Sequence, residues 1–339
     1  MEKSRKITLS EVAAQARVSP ITVSRALRDP AKVSPEARAR IDQAIRELGY
    51  VPNPAARALA SGRTDVVGVI IPSVSNNVFA DVTRGIYDAL EGSALSVQMG
   101  NTRYSPLTEE ELIRVFLSQR PAGLIVAGHD QSPAARAALI AAECPVVQLM
   151  EVGPAPIDMA VGLSHYEASR AGAAHLLAQG YRAPAFLGAQ MDPRSQQRLQ
   201  AFRDCLAQAG IGTDDPVVTT PEPSSVSLGC RLFADLLSRS PRTDAVLCNN
   251  DDIALGVLFE ARRRNIRVPQ DLGICGFNDL EMMSAAEPSV TSVAVDRLRM
   301  GRDAIGLIRD RLEGRGQPRG YALDLGFRLM TRDSTRRGG

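Results

Sequence analysis

From Asp65 onward the chain alternates short apolar runs with helical stretches, and that alternation leaves few folds open to it. VVGVIIP at 66–72 is an unbroken apolar run of the kind found in parallel strands covered on both faces. A helix over 79–91 follows, then LSVQM, a helix over 108–119, GLIVA, a helix over 132–142 and PVVQL. A second series opens with a helix over 167–179, APAFLGA, helices over 195–209 and 226–240, and AVLCN. It continues with a helix over 251–264, LGICGF and a long helix over 297–312. Strands that alternate with helices need right-handed crossovers, so two open, doubly wound parallel sheets are expected. At 339 residues the chain has room for two or three folding units.

Composition excludes several classes of protein. With 44% hydrophobic and 23% charged residues the chain matches a packed globular protein, not a disordered one. No apolar run reaches the roughly 18 residues of a membrane span, and MEKSRKITLSEVA lacks the apolar stretch of a signal peptide. The five cysteines are scattered, odd in number and without a CxxC pair, which suits free thiols in a reducing compartment. A cytoplasmic protein without a membrane partner is the expectation. Signatures of catalysis are missing too. The three histidines show no HExxH spacing, and there is no GxGxxG after a strand, no P-loop and no GxSxG elbow. The neighbouring acids Asp251 and Asp252 point different ways at a helix start, so a helix cap explains them better than acid–base chemistry. No enzyme, cofactor or metal site is expected.

The net charge of +2 conceals an asymmetry. Residues 1–63 hold twelve Lys or Arg against six Asp or Glu, a balance of +6, while the remainder has 28 against 32, or −4. A basic head on a mildly acidic body suits a chain of which only the head meets a polyanion, although a solvated helical surface would look the same. The pattern inside the head separates the two. Thr8-Leu9-Ser10-Glu11 is a capping box, and it opens a helix with Val12, Ala13 and Ala16 on one face. After a turn at Arg17-Val18, Ser19 caps a second helix whose first position is Pro20. That helix buries Val23, Ala26 and Leu27 and leaves Ile21, Thr22, Ser24 and Arg25 outward, types that reach base edges and phosphates. Ser34-Pro35-Glu36 starts a third helix that ends at Gly49. Together these make a helix-turn-helix.

The order ITLSEVAAQARVSPITVSRAL, then VSPEARARI, then ELGYVPNPAARALASGRTDVVGVIIPSVSN closely resembles the opening of LacI/GalR-family transcription regulators. One residue departs from that pattern: the turn, usually Gly in the family, is Arg17. A left-handed backbone there costs Arg about 1–2 kcal/mol relative to Gly. The resemblance runs from about Ile7 to Phe327 and implies a DNA-binding regulator, most often a repressor, acting as a homodimer on a palindromic operator. It implies an N-terminal all-α helix-turn-helix head over 1–52 and a hinge over 53–63. An α/β periplasmic-binding-protein-like core of two doubly wound parallel-sheet lobes then covers 64–327, leaving 328–339 as a disordered tail. At DNA it places Thr8, Ser19, Pro20, Ile21, Thr22, Ser24 and Arg25 of the head with Asn53, Ala56 and Leu59 of the hinge. Leu59 matches a leucine that wedges between base steps in the minor groove. A plain interdomain linker is the other reading of 53–63.

Open α/β sheets bind ligands at the carboxyl ends of their strands, so a small-molecule effector is expected there. Reading those ends gives Phe79, Glu151, Arg198, Asn250 and Asn278. Phe79 matches a cleft aromatic of the family, or is an ordinary core residue. Glu151 bonds hydroxyls in neutral-sugar relatives, or is a surface carboxylate. Arg198, in QQRLQAF, matches an effector-contacting arginine, and an Arg fork is a natural partner for a carboxylate. Asn250, in the NDxxALG-like run, would meet ligand hydroxyls while Asp251 caps the helix. Asn278 stands where sugar-binding relatives often carry Asp. VVQLMEVGPAPIDMAVG and LDLGF at 323–327 are similar to the gluconate-repressor branch of the family. A sugar acid, gluconate or a ketogluconate or phosphogluconate, is therefore the expected effector, with a neutral sugar or a nucleobase as the alternative.

Overall fold

The computed structural model describes residues 7–28, 32–51, 62–153, 155–211 and 216–337. The chain divides into two compact units, Met1–Thr64 and Asp65–Gly339. The proposed hinge positions Asn53, Ala56 and Leu59 lie outside the described residues.

The head holds three helices, α1 (Leu9–Ala16), α2 (Pro20–Arg28) and α3 (Pro35–Leu48). Thr8 forms the capping box: its N–H donates to Glu11 Oε2 at 2.7 Å, and the Glu11 N–H returns to Thr8 Oγ1 at 3.4 Å. Arg17 ends α1 at φ 54° and ψ 47°, and the Val18 N–H closes back on the Ala13 carbonyl at 3.0 Å. Ser19 Oγ accepts from the Thr22 N–H at 3.1 Å and opens α2. Val12, Ala13, Ala16, Val23, Ala26, Ile41, Ala44 and Tyr50 form the head's core. Leu27 is half-buried, and Ile21 and Arg25 are exposed on the outer face of α2. Since Arg17 holds a left-handed backbone, Arg17→Gly relieves strain at some cost in unfolded-chain entropy, a net gain of roughly 0.5–1 kcal/mol. Hydrogen exchange of the buried head amides in the intact chain should slow accordingly.

The second unit is built on two six-stranded sheets. The first lobe contributes β1 (Val66–Ile71), α4 (Asn77–Leu90), β2 (Ser96–Asn101), α5 (Pro106–Ser118), β3 (Gly123–Ala127), α6 (Pro133–Ile140), β4 (Val146–Glu151) and β5 (Met159–Leu163). The chain then crosses to the second lobe: α7 (His165–Ala178), β6 (Pro184–Ala189), α8 (Pro193–Gln208), β7 (Val217–Thr220), α9 (Val226–Arg239), β8 (Ala245–Cys248), α10 (Asp251–Arg263), β9 (Gly273–Asn278), α11 (Glu281–Ala285) and β10 (Thr291–Ala294). It returns for α12 (Arg297–Leu312) and β11 (Tyr321–Asp324) in the first lobe, then crosses once more to β12 (Arg328–Met330). The strand orders are β11-β5-β4-β3-β1-β2 and β12-β10-β9-β8-β6-β7. Every pairing is parallel except β10 with β12.

Apolar central strands bury both faces, as VVGVII and GLIVA require. In the first lobe α4 and α12 cover one face and α5 and α6 the other. Helices α4 and α12 cross closely because Gly85 and Gly301 lack side chains. A Cβ on Gly301 would lie 2.1 Å from the Val82 carbonyl oxygen, and one on Gly85 only 2.0 Å from that of Leu298. No helix among the described residues is long and apolar enough to cross a membrane.

One expectation fails here. Residues 328–337 are not a disordered tail: Arg328–Met330 pairs with β10, and Ser334 and Thr335 are fully buried. Ser334 Oγ donates to the Ile274 carbonyl at 2.6 Å and accepts from the Thr291 N–H at 2.9 Å. The polar run STRRGG conceals this, because the segment is held by hydrogen bonds and not by apolar periodicity.

Candidate effector cleft and family

In each sheet the order of connection reverses at the centre, between β1 and β3 and between β6 and β8. Loops leave such a switch point in opposite directions and open a crevice beyond the strand ends. The two crevices face one another, and a cavity of about 150 Å³ lies between the lobes. Phe79, Arg198, Asn250 and Asn278 all line it, although they come from four separate stretches of sequence. Glu151 is not among its lining residues; half-buried at the end of β4, it accepts a hydrogen bond from Gln197 Nε2 of the other lobe.

The first-lobe wall is shaped by helix capping. Asn76 Oδ1 accepts from the Val78 N–H at 3.0 Å and starts α4, which carries Phe79 one turn in. Phe79 belongs to the lobe's buried core and also borders the cavity.

Arg198 sits on α8 and is buried. Its Nη1 donates to the Asn249 carbonyl, and Nε and Nη2 approach His165 Nδ1 at 3.3 and 3.0 Å. The guanidinium lies 3.7 Å from the centroid of the Phe277 ring. His165 Nε2 donates to the Met150 carbonyl at 3.0 Å, so the neutral ring offers Nδ1 as an acceptor. Burial, and then the positive Arg198, hold the His165 pKa well below its ordinary value. Burial likewise lowers the Arg198 pKa to about 10. Of five N–H groups these contacts engage three, which leaves one N–H on each terminal nitrogen.

Asn250, not Asp251, caps α10. Its Oδ1 accepts from the Ile253 N–H at 3.1 Å and from Ser224 Oγ at 2.8 Å. Asp251 turns inward instead, accepting from Ser292 Oγ at 2.6 Å and from the Leu280 N–H at 2.7 Å, and so ties down the loop behind Asn278. The Ncap backbone points Asn250 along the helix axis, whereas the next side chain faces the sheet. Burial raises the Asp251 carboxyl from 3.8 to about 7. The folded chain therefore keeps a proton that the unfolded chain releases. That stabilisation is complete below pH about 4 and is lost as pH rises toward about 7. Thermal melts should show stability falling across this window, and Asp251→Asn should flatten that part of the slope.

Three residues of the site escaped the sequence reading. Asn249 Nδ2 donates to the Ala189 carbonyl at 2.7 Å, and its Oδ1 accepts the Ala189 N–H at 3.2 Å, pinning the loop after β6. His165 supports Arg198 from the first crossing of the chain between lobes. Arg194 lines the cavity from the first turn of α8 and pairs with Asp192 at 2.6 Å. A signal for Arg194 did exist: Asp192-Pro193 is a cap followed by an N1 proline, which sets the next residues at a strand's carboxyl end.

A helix-turn-helix head joined to a two-lobed α/β core with a polar cleft defines a ligand-responsive DNA-binding protein. Residues 8–53 match the model for bacterial regulatory proteins of the lacI family, and residues 173–335 match that for a periplasmic binding protein-like domain. The chain is 42% identical over 328 residues to the HTH-type transcriptional regulator GntR of Pseudomonas aeruginosa, covering 97% of this chain and 95% of that protein. Among solved structures it is similar to a LacI-family transcriptional regulator from Silicibacter pomeroyi. That match has a TM-score of 0.88 at 38% identity and covers 98% of this chain and 100% of the other. The lac repressor dimer bound to operator and the anti-inducer ONPF is also similar. Its TM-score is 0.84 at 25% identity, over 98% of this chain and 99% of the other. The chain belongs to the LacI family of transcriptional regulators. It is a DNA-binding regulator and not an enzyme.

Proposed function

We propose that this chain is a cytoplasmic repressor that acts as a homodimer on a palindromic operator and is released when a gluconate-type sugar acid enters the cleft. One observation carries the effector class: Arg198 keeps an N–H on each terminal nitrogen in a cavity whose other polar walls include the neutral amides Asn250 and Asn278. Two parallel N–H groups match the two oxygens of a carboxylate. Neutral Asn278, unlike Asp, does not repel that anion. Asn250 Nδ2 and Ser224 then meet hydroxyls, and Glu151, bonded to Gln197, stands outside this contact set.

In the head, exposed Ile21 and Arg25 read base edges or phosphates from α2, and Thr8, Ser19, Pro20, Thr22 and Ser24 support or flank those contacts. Asn53, Ala56 and Leu59 act in the hinge, where Leu59 wedges into the minor groove. Closure of the lobes on the effector shifts the spacing of the paired hinges and disfavours the DNA-bound state. The test pairs calorimetry with operator titration at fixed salt. Saturable heat with gluconate, and weaker operator binding in its presence, is the expected result. No heat with any sugar acid, but saturable binding of a neutral sugar, would decide for the neutral-sugar alternative.

A further inference from the structure

The cavity that holds Arg198 is small for a ligand site, since such sites usually measure roughly 300 Å³ or more. It does not end there. A second cavity of about 470 Å³ adjoins it between the same two lobes, and Tyr104, Gln190, Asp192 and Arg194 border both. The new walls include Glu109, from the first turn of α5, and Asp130, from the loop after β3. A six-carbon ligand anchored at Arg198 has this larger space as its continuation.

The polar groups around that space are incompletely satisfied. Arg194 is 8% exposed. Its Nε and Nη2 both donate to Asp192 Oδ2, at 3.2 and 2.6 Å, whereas Nη1 is buried with no hydrogen-bond partner among the described residues. Nη1 and Asp130 Oδ1 converge on one point above the end of β3. A Cβ placed on Gly128 would lie 3.3 Å from the first and 2.4 Å from the second. A buried donor left without a partner is costly, so this one is poised to donate to an acceptor atom of a ligand. Glu109 faces the same space, its carboxyl raised to about 7 by burial and then by the charge of Asp130.

Charge decides what kind of ligand group that acceptor belongs to. Asp192 already neutralises Arg194, and Asp130, which forms no salt bridge among the described residues, adds a second negative charge beside the same guanidinium. The compartment therefore has no surplus cation for a phosphate or a second carboxylate. A hydroxyl fits every demand: its oxygen accepts from Arg194 Nη1, and its proton goes to Asp130 or Glu109.

We propose that this second compartment is a subsite for the uncharged, hydroxyl-bearing end of the effector, and that Asp130, Glu109 and Arg194 select against a ligand phosphorylated at that end. The inference rests on the sugar-acid reading of Arg198, and the test separates the two. Calorimetry on the intact chain uses D-gluconate and 6-phosphogluconate as probes. Gluconate is expected to bind at least about tenfold more tightly, as the combined repulsion from exposed Asp130 and half-buried Glu109 would produce. Asp130→Asn, at an exposed position, should narrow that ratio to about threefold, and the Asp130→Asn/Glu109→Gln double variant should narrow it further. Tight gluconate binding with equal or tighter 6-phosphogluconate binding would overturn the subsite and leave the sugar-acid reading standing. An unchanged ratio in folded Asp130→Asn protein would overturn it as well. Failure of the wild type to bind either probe would overturn the sugar-acid reading, and the subsite with it.

Discussion

Replacing Arg198 with alanine is expected to abolish the response to a sugar acid and also to lower the stability of the core by about 2–4 kcal/mol. The first effect follows from losing a cavity-lining guanidinium that still has an N–H to give on each terminal nitrogen. The second follows from what the same side chain does behind it. Without the guanidinium the Asn249 carbonyl and His165 Nδ1 lose their donor, and the face of the Phe277 ring loses its cation. Each acceptor left buried costs about 1–3 kcal/mol, partly recovered if water enters the hole. Because Asn249 also pins the loop after β6, the disturbance reaches Ser195, whose Oγ accepts from Asn249 Nδ2 at 3.1 Å. Arg198→Lys keeps the charge but not the fork, and should lie between wild type and alanine in stability while still binding the carboxylate poorly. Thermal melts without ligand, and operator titrations with and without saturating gluconate, read the two effects apart. Full stability with a lost response would confine Arg198 to ligand contact. Lost stability with a normal response would confine it to the scaffold.

What was legible in the sequence followed the range of the forces involved. The head could be read almost residue by residue, because a capping box at Thr8, a cap-proline pair at Ser19-Pro20 and a glycine at the end of α3 act within a few positions. The strain at Arg17 was visible for the same reason. Central strands announced themselves as continuous apolar runs. Helices α5 and α8 begin two residues before the start read from the sequence, and α6 one residue after it. Each opens on the proline that follows its Ser105, Ser132 or Asp192 cap, a local signal that fixes the first turn. Strands β5, β7, β10, β11 and β12 were not foreseen. Four of them are only three or four residues long, and their partners lie far off in sequence: Tyr321 of β11 aligns with Met159 of β5, and Leu329 of β12 with Val293 of β10. No local pattern encodes such a pairing. In the cleft, the strand-end rule and the family resemblance together pointed to Phe79, Arg198, Asn250 and Asn278, which line one cavity, and to Glu151, which does not. The residues that hold them in place, His165, Asn249 and Asp251, depend on packing between segments that no spacing rule connects.

Arg297→Ala is expected to weaken the link between ligand and helix α4. Arg297 stands at the start of α12 in the first lobe, buried. Its Nε and Nη2 donate to Asp81 Oδ2 on α4 at 3.2 and 2.8 Å, while Nη1 donates to the Asn278 carbonyl at the end of β9 in the second lobe. One guanidinium thus ties a cleft residue of one lobe to the helix that carries Phe79 in the other. Asn278 needs that hold. Its φ of 109° is a conformation that favours glycine, and for a residue with a side chain it stores about 1–3 kcal/mol of strain. The next residue is clamped too: the Asp279 N–H donates to Ser292 Oγ at 3.1 Å, and Arg332 Nη1 and Nη2 grip the Asp279 carboxylate at 2.6 and 3.2 Å. Alanine at 297 leaves the Asn278 carbonyl without its donor in a strained turn, whereas Asp81 still has Arg84 at 3.1 Å. A loss of about 2–3 kcal/mol in core stability is expected, with weaker gluconate binding as the Asn278 amide is released. Asp81→Asn separates the link from the support, because it removes the ion pair but leaves Arg297 on the Asn278 carbonyl. That variant should bind gluconate in calorimetry much as the wild type does, yet need about tenfold more of it to release operator, a coupling loss of about 1.4 kcal/mol. Equal half-release concentrations for Asp81→Asn and wild type would show that the signal leaves the cleft by another route.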